Sequence, residues 1–168
     1  MGALALLALL AAAPTPVSGP PADPLADQLL WPTYSWDIVG GRLSVSRGAG
    51  PNGPRLLEDS LTAANLAELL AASPRAAELA REAHRELQWG VALKYSGLLG
   101  ALAGVVGITI GAAQITDGNA QKAWSTGGGI LALAGVVSTV LGVIGINDGF
   151  TRALEAVNAY NLDLVRGR

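Results

Sequence analysis

The chain has 168 residues, of which 51% are hydrophobic and 14% charged, with no cysteine and a formal net charge of −2. The lack of cysteine excludes disulfides, thiolate metal sites and cysteine nucleophiles, and a small net charge without a Lys/Arg cluster argues against nucleic-acid binding. The apolar residues are concentrated in two uncharged stretches, which indicates a membrane protein rather than a soluble core.

Residues 1–19 are predicted to be a signal peptide. The apolar run at residues 3–13 has the length of a signal-peptide core and is too short to cross a bilayer. Two features weaken this prediction: no Lys or Arg precedes the run, and proline follows both small-residue cleavage patterns, which end at Ala13 and Gly19. On balance the sequence favours export of the N-terminal region.

Residues 20–58 form a proline- and glycine-rich segment that is predicted to contain a short β-hairpin. Two short runs, 31–39 and 42–46, flank the pair Gly40-Gly41, and this arrangement is typical of a hairpin. Residues 48–54 are predicted to be a loop. An isolated hairpin is marginal in water, so we expect it to pack on another part of the chain.

Residues 60–94 are predicted to be a helical segment. A first helix begins near Ser60 or Thr62 and ends at Ser73, and the pair Ser73-Pro74 then opens a second helix as N-cap and first helical residue. The charged side of the second helix carries the glutamates at 78, 82 and 86, which we interpret as a solvated face paired with arginines of the same helix. The segment is predicted to be amphipathic.

Residues 95–147 are predicted to form a glycine-rich transmembrane hairpin with spans at 95–116 and 123–147. Neither span contains Asp, Glu, Lys or Arg. As helices they reach roughly 33 and 37 Å, which is enough to cross a hydrocarbon core of about 30 Å. Glycine recurs at steps of three, four and seven, and such spacing places a groove of bare backbone along one side of each helix.

The two spans are related by an internal repeat. The sequence Ala-Leu-Ala-Gly-Val-Val at 101–106 recurs at 132–137, 31 residues later. Successive spans cross in opposite directions, so the halves would be related by an axis in the membrane plane. The hydroxyls of Thr109, Ser138 and Thr139 are expected to bond the preceding turn, and packing is favoured over transport because no ionisable residue lies within the spans.

Residues 148–168 are predicted to be a C-terminal amphipathic helix. Phe150, Leu154, Val157 and Leu164 recur at helical intervals along it. The fold class expected from all these elements is mainly α and membrane-embedded: a two-helix transmembrane hairpin with an amphipathic helix before and after it, and a short β-hairpin near the N-terminus.

Three short motifs flank the glycine-rich hairpin: Gly40-Gly41, Ser-Pro-Arg-Ala at 73–76, and Ala-Val-Asn-Ala-Tyr-Asn at 156–161. In this order they resemble a group of uncharacterised small bacterial membrane proteins with a closing Ala-Val-x-x-Tyr-Asn motif, over roughly residues 34–161. The resemblance implies the architecture and a bacterial origin, and it implies no activity. Tyr160 and Asn161 are either a functional pair or part of a helix C-cap, which asparagine suits.

The sequence predicts no catalytic, cofactor-binding or metal-ligating residue and no cofactor. His84 is the only histidine and is expected to be solvated, and without a second histidine or any cysteine a metal site would need clustered carboxylates. We therefore expect a non-enzymatic envelope interaction or scaffold component, with an oligomeric small pore as the alternative. The expected partners are the lipid bilayer and, through the glycine faces, a second copy or another membrane protein.

The orientation in the membrane is left open by two conflicting signals. The expected location is the bacterial inner membrane with the N-terminal region exported, because a signal peptide would place that region outside. Positive-inside counting gives the opposite orientation, since the loop between the spans contains only Lys122 whereas arginine and lysine flank the outer ends of both spans.

Overall fold

The structure, a computed structural model, describes residues 25–36, 41–48, 50–114 and 117–167. The predicted signal peptide and Gly40 of the predicted turn lie outside these residues. The elements in chain order are a 3₁₀ turn at Ala26–Gln28, strands β1 (Leu30–Trp36), β2 (Gly41–Arg47) and β3 (Arg55–Ser60), and helices α1 (Leu66–Leu69), α2 (Pro74–Gln114) and α3 (Gly118–Arg166). The chain is mainly helical, as predicted, with two long apolar helices and a small antiparallel sheet near the N-terminus.

The sheet has the order β1-β2-β3. Strands β1 and β2 pair in continuous register from Leu30 opposite Arg47 to Trp36 opposite Gly41. Strand β3 was not predicted from the sequence, because the adjacent Leu56 and Leu57 break the alternation that identifies a strand. Its pairing with β2 also contains register shifts.

The short helix α1 differs from the prediction of a helix that begins near Ser60 or Thr62. Strand β3 extends to Ser60, and Ala63 adopts a φ of 49°. A left-handed backbone of this kind interrupts a right-handed helix, so only one turn forms, at Leu66–Leu69. The predicted N-cap is confirmed: α2 begins at Pro74, and the backbone N–H of Ala76 donates to Ser73 Oγ at 3.2 Å.

The two long helices run without a break through the expected ends of the spans. Helix α2 has 41 residues and α3 has 49, so at about 1.5 Å per residue they extend for roughly 61 and 73 Å. The amphipathic segments expected before and after the hairpin are therefore continuous with the spans. Both helices are about twice as long as a bilayer core is thick.

One hydrophobic core joins the sheet and α1 to one end of the helix pair. We call the sheet, α1 and the helix segments 74–88 and 149–166 the head. The buried residues of this core are Leu30, Leu43, Val45, Leu57, Ala63, Leu66, Leu70, Ala76, Ala80, Ala83, Leu87, Ile146, Phe150, Ala153, Ala156 and Val157. The small strands thus pack on the helices, which supplies the support that an isolated hairpin lacks.

Candidate functional site

The two long helices contact each other through glycine backbone. Three glycine pairs lie in layers seven residues apart on each helix: Gly90 with Gly142, Gly97 with Gly135, and Gly104 with Gly128. A methyl group on Gly97 would lie 2.6 Å from the carbonyl oxygen of Gly135, and one on Gly128 would lie 2.7 Å from that of Gly104. No side chain fits at such distances, so in this structure each glycine groove is filled by the backbone of the other helix.

Four other glycines of the hairpin are packed less closely than these six. A methyl group on Gly100 or Gly107 would make ordinary contacts, at 3.6 Å and 3.4 Å from the Cα atoms of Gly135 and Gly128. On Gly127 or Gly129 it would meet nothing within 4 Å. The seven-residue series therefore carries the close approach, which is how small residues act between membrane helices.

The glycine contacts repeat the internal symmetry of the sequence. In the 31-residue repeat, Gly97 corresponds to Gly128 and Gly104 corresponds to Gly135. The Gly97–Gly135 pair is therefore equivalent to the Gly128–Gly104 pair. The contacts exchange as well, because Gly135 faces the amide of Ala101 and Gly104 faces the amide of Ala132. The two halves of the hairpin thus pack as related units in opposite directions.

The outward faces of both helices carry large aliphatic side chains. We call residues 89–113 and 118–148 the belt. Between Leu98 and Ile144 its exposed large residues are Leu98, Leu99, Leu102, Val105, Val106, Ile108, Trp124, Ile130, Leu131, Leu133, Val136, Val137, Val140, Leu141 and Ile144. Both helices are long and apolar enough to cross a membrane, and only 22% of the most apolar window of α2 and 17% of that of α3 is buried. The core helix of a soluble protein would bury most of such a face.

Aromatic residues mark the two ends of the belt. The exposed fractions of Trp89 and Trp124 are 67% and 52%. Trp124 packs beside Gly111, which lies about 33 Å from Trp89 along α2 at 1.5 Å per residue. Near the Trp89 end, Lys94 Nζ lies 5.7 Å from the centroid of the Tyr95 ring. Tryptophan, tyrosine and lysine at such a spacing are typical of the two interfaces of a bilayer.

Two threonine hydroxyls within the belt are satisfied inside their own helices. Thr109 Oγ1 donates to the carbonyl of Val105 at 2.9 Å, and Thr139 Oγ1 donates to that of Gly135 at 2.8 Å. The prediction that these threonines bond the preceding turn is confirmed. Because these hydroxyls bond backbone carbonyls of their own helix, they need no partner from the surroundings, as a bilayer would require.

Asn161 connects α3 to the first strand of the sheet. Its Oδ1 accepts from the backbone N–H of Leu30 at 2.9 Å, and its Nδ2 donates to the carbonyl of Leu30 at 2.8 Å. The C-cap interpretation of this asparagine is wrong, because α3 continues to Arg166. Within the closing motif, Ala156 and Val157 lie in the head core and Tyr160 packs against it, so the motif joins helix to sheet.

Two further side-chain contacts hold the ends of the head together. Ser73 Oγ donates to Asp163 Oδ2 at 2.5 Å, which links the start of α2 to the end of α3. His84 is half-buried, and its Nδ1 lies 2.5 Å from the carbonyl oxygen of Thr62. Because a carbonyl only accepts, Nδ1 carries the proton. The histidine expected to be solvated is therefore a contact between α2 and the segment before α1.

The acidic face of α2 pairs with α3. Arg152 lies 3.0 Å from Glu82 and 2.9 Å from Glu86, whereas the sequence interpretation paired these glutamates with arginines of their own helix. Among residues 25–36, 41–48, 50–114 and 117–167 there is no group of three or more His, Asp or Glu that could hold a metal ion.

Tyr34 packs against helix α3, and its partial burial alters its titration. Its ring packs on Phe150 with the centroids 4.6 Å apart and the planes tilted by 55°. Desolvation by burial raises the pKa of Tyr34 above 10.0. The tyrosine is a packing residue of the sheet.

Comparison with protein-family models, with curated proteins and with solved structures finds no match to this chain.

Proposed function

We propose that this chain is a non-enzymatic integral membrane protein, an interaction or scaffold component of a bacterial envelope. The belt crosses the bilayer twice, and the head lies on one side of it. The observation that carries the proposal is the arrangement of the belt, in which glycine backbone is buried between the helices while leucine, isoleucine and valine face outward.

The dimensions of the belt support this placement. The distance of about 33 Å between its tryptophan levels matches a hydrocarbon core of about 30 Å. The outward aliphatic side chains would be costly in water, since each large one gains roughly 1.5–3 kcal/mol when it is removed from water. A bilayer removes all of them from water together.

The head supports an interaction role. It is built on the same two helices as the belt, so a partner that binds the head is held at a defined position relative to the membrane. The only histidine of the chain bonds a backbone carbonyl, and Ser73 bonds Asp163 and a backbone N–H. Neither residue forms the nucleophile–base pair that covalent catalysis needs.

The proposed location is the bacterial inner membrane with the head exported. Both the start of α2 and the end of α3 belong to the head, so they share one side of the bilayer, and the other end of the hairpin, near Lys122, lies on the opposite side. The leader at residues 1–19 favours an exported head, and the basic residues of the head favour a cytoplasmic one.

The proposed partners are lipid and either a second copy or another membrane protein. Association through the glycine faces requires the hairpin to open, because each face covers the other in this structure. Exchange of helices between two copies would meet that requirement. A pore is less well supported, because the contact between the helices is filled by backbone and the outward faces described above are apolar.

Single cysteines test the double crossing, and the chain offers a cysteine-free background. We expect Glu78→Cys and Asn119→Cys in sealed proteoliposomes to be labelled by an impermeant maleimide only from opposite sides. Leu102→Cys and Leu133→Cys should stay unlabelled until detergent is added, because lipid covers them. Equal labelling of Leu102→Cys and Asn119→Cys in sealed vesicles would exclude a membrane-spanning belt.

A further inference from the structure

We propose that the outer face of the sheet binds one anionic sugar unit, a ring with several hydroxyls and a single carboxylate or phosphate. A pocket of about 270 Å³ opens on this face and is lined by Thr33, Ser35, Ser44, Ser46, Pro51, Asn52 and Arg55. The volume is slightly below the range of about 300–1,000 Å³ that is typical of drug-sized ligands. It suits one ring rather than an oligosaccharide. The proposal does not depend on membrane insertion.

The pocket has a wall whose conformation is specified by glycine. The loop after β2 includes Gly48 and Gly50, with φ values of +110° and +154°, which other residues rarely adopt. A side chain on Gly53 would collide with the carbonyl of Arg47. Two left-handed glycines and one sterically restricted glycine within six residues indicate a loop that is shaped for its place beside the sheet.

Hydrogen bonds fix this wall to the strands. The N–H of Arg47 donates to the carbonyl of Pro54 at 2.9 Å, and the N–H of Gly48 donates to that of Leu29 at 3.0 Å. Ser46 is only 3% exposed although it points away from the core, and its Oγ lies 3.3 Å from the carbonyl oxygen of Gly50. The loop therefore covers part of the sheet and leaves a bounded hollow beside Pro51 and Asn52.

The strand register determines what lines the hollow. Thr33 lies opposite Ser44, and Ser46 lies opposite Trp31 on one side and Arg55 on the other. Ser46 is buried and bonded to backbone, but Thr33, Ser35 and Asn52 are exposed. Hydroxyls both donate and accept, and an amide does the same, so these three side chains match a ligand with several hydroxyls. Trp31, 42% exposed at the end of the same face, offers a flat apolar surface to a ring.

Charge selects the anionic form of the ligand. Arg55 lines the hollow, and none of the lining residues is acidic. Guanidinium groups bind carboxylate and phosphate with two parallel hydrogen bonds. A neutral sugar would use the hydroxyls alone, and a simple anion would use the arginine alone. The site is therefore expected to prefer a molecule that combines both.

Titration of the full chain in detergent micelles with glucuronate, glucose and acetate tests the proposal by calorimetry and amide chemical shifts. We expect saturable glucuronate binding at least about tenfold tighter than that of glucose or acetate, a difference typical of one charge-assisted contact. The shifts should be confined to β1, β2 and residues 50–55. Inorganic phosphate in a further titration shows whether the anion alone suffices, and binding equal to that of glucuronate would overturn the proposal.

An added negative charge separates recognition from folding. Asn52→Asp retains a residue suited to the turn and adds a negative charge to the hollow, so glucuronate affinity should fall at least about tenfold while glucose affinity changes little. Asn119→Asp makes the same charge change at the far end of the hairpin and should leave both affinities unchanged. Arg55→Gln should resemble Asn52→Asp. If Asn52→Asp and Asn119→Asp bind glucuronate equally well, the hollow is a solvated surface and the proposal fails.

Discussion

Asn161 uses both ends of its amide on a single residue of β1. The oxygen and the nitrogen of the side chain match the N–H and the carbonyl of Leu30, groups that a strand at the edge of a sheet would otherwise leave to water. A carboxylate of the same shape could accept but not donate. The contact therefore requires asparagine rather than a polar residue in general.

Asn161→Ala should weaken the attachment of β1 to α3. We expect a loss of about 1–3 kcal/mol in the free energy of unfolding, because two partly buried backbone groups lose their partner. The amide of Leu30 should exchange with solvent hydrogen faster in this variant. Asn158→Ala, at an exposed position one turn earlier in α3, is the matched control and should leave that amide protected. Equal exchange in the two variants would contradict the assigned role of Asn161.

The elements differ in how far the sequence alone predicts them. The spans and their contact faces follow from length, lack of charge and glycine spacing, which are local signals. Strand β3 is set by its partner β2 and by the loop before it, and Leu56 and Leu57 give no alternation to indicate it. The role of Asn161 depends on a contact with Leu30, far away in the chain. Such contacts leave no short-range pattern.

Three consecutive glycines of α3 allow a direct test of the contact between the helices. A methyl group on Gly128 would meet the backbone of Gly104 and Ile108 at 2.7 and 2.8 Å, so Gly128→Ala should destabilise the hairpin by about 1–3 kcal/mol. Gly127→Ala and Gly129→Ala add a methyl group in open space and should stabilise it by about 0.5–1 kcal/mol. Unfolding of the chain in mixed micelles measures all three.

This comparison is informative because Gly128→Ala is expected to lower the free energy of unfolding, whereas Gly127→Ala and Gly129→Ala are expected to raise it. The three variants share a helix, a solvent environment and a substitution, and they differ in the direction of the added methyl group. A general effect of alanine on helix stability would move all of them the same way. If Gly128→Ala were as stable as its neighbours, the close approach at that layer would be wrong.

At the scale of the whole molecule, the proposed membrane placement divides the aromatic residues between lipid at the belt and water at the head. Single-tryptophan variants that retain Trp89 or Trp124 should be quenched by lipids brominated near the headgroup, because each residue lies at one end of the belt. A variant that retains Trp31 should instead be quenched by aqueous iodide, since this residue lies on the outer face of the sheet. Fluorescence of the reconstituted chain measures these differences.

The outcome for Trp89 is decisive in that series. It lies where the head meets the belt, and it is more exposed than Trp31 and Trp124. Iodide quenching of Trp89 equal to that of Trp31 would place the boundary of the lipid deeper along α2. The tryptophan levels would then no longer mark the two interfaces.

The exchange of glycine contacts on moving 31 residues has a consequence for how the chain enters a membrane. A hairpin whose halves are interchangeable presents similar packing and similar apolar side chains when it is turned upside down. Its interior then contributes little preference for either polarity of insertion. That choice falls to the unsymmetrical parts, namely the head, the residues before it and the few charges at the ends of the helices. Stripped of these, the hairpin should insert in both polarities within a single membrane.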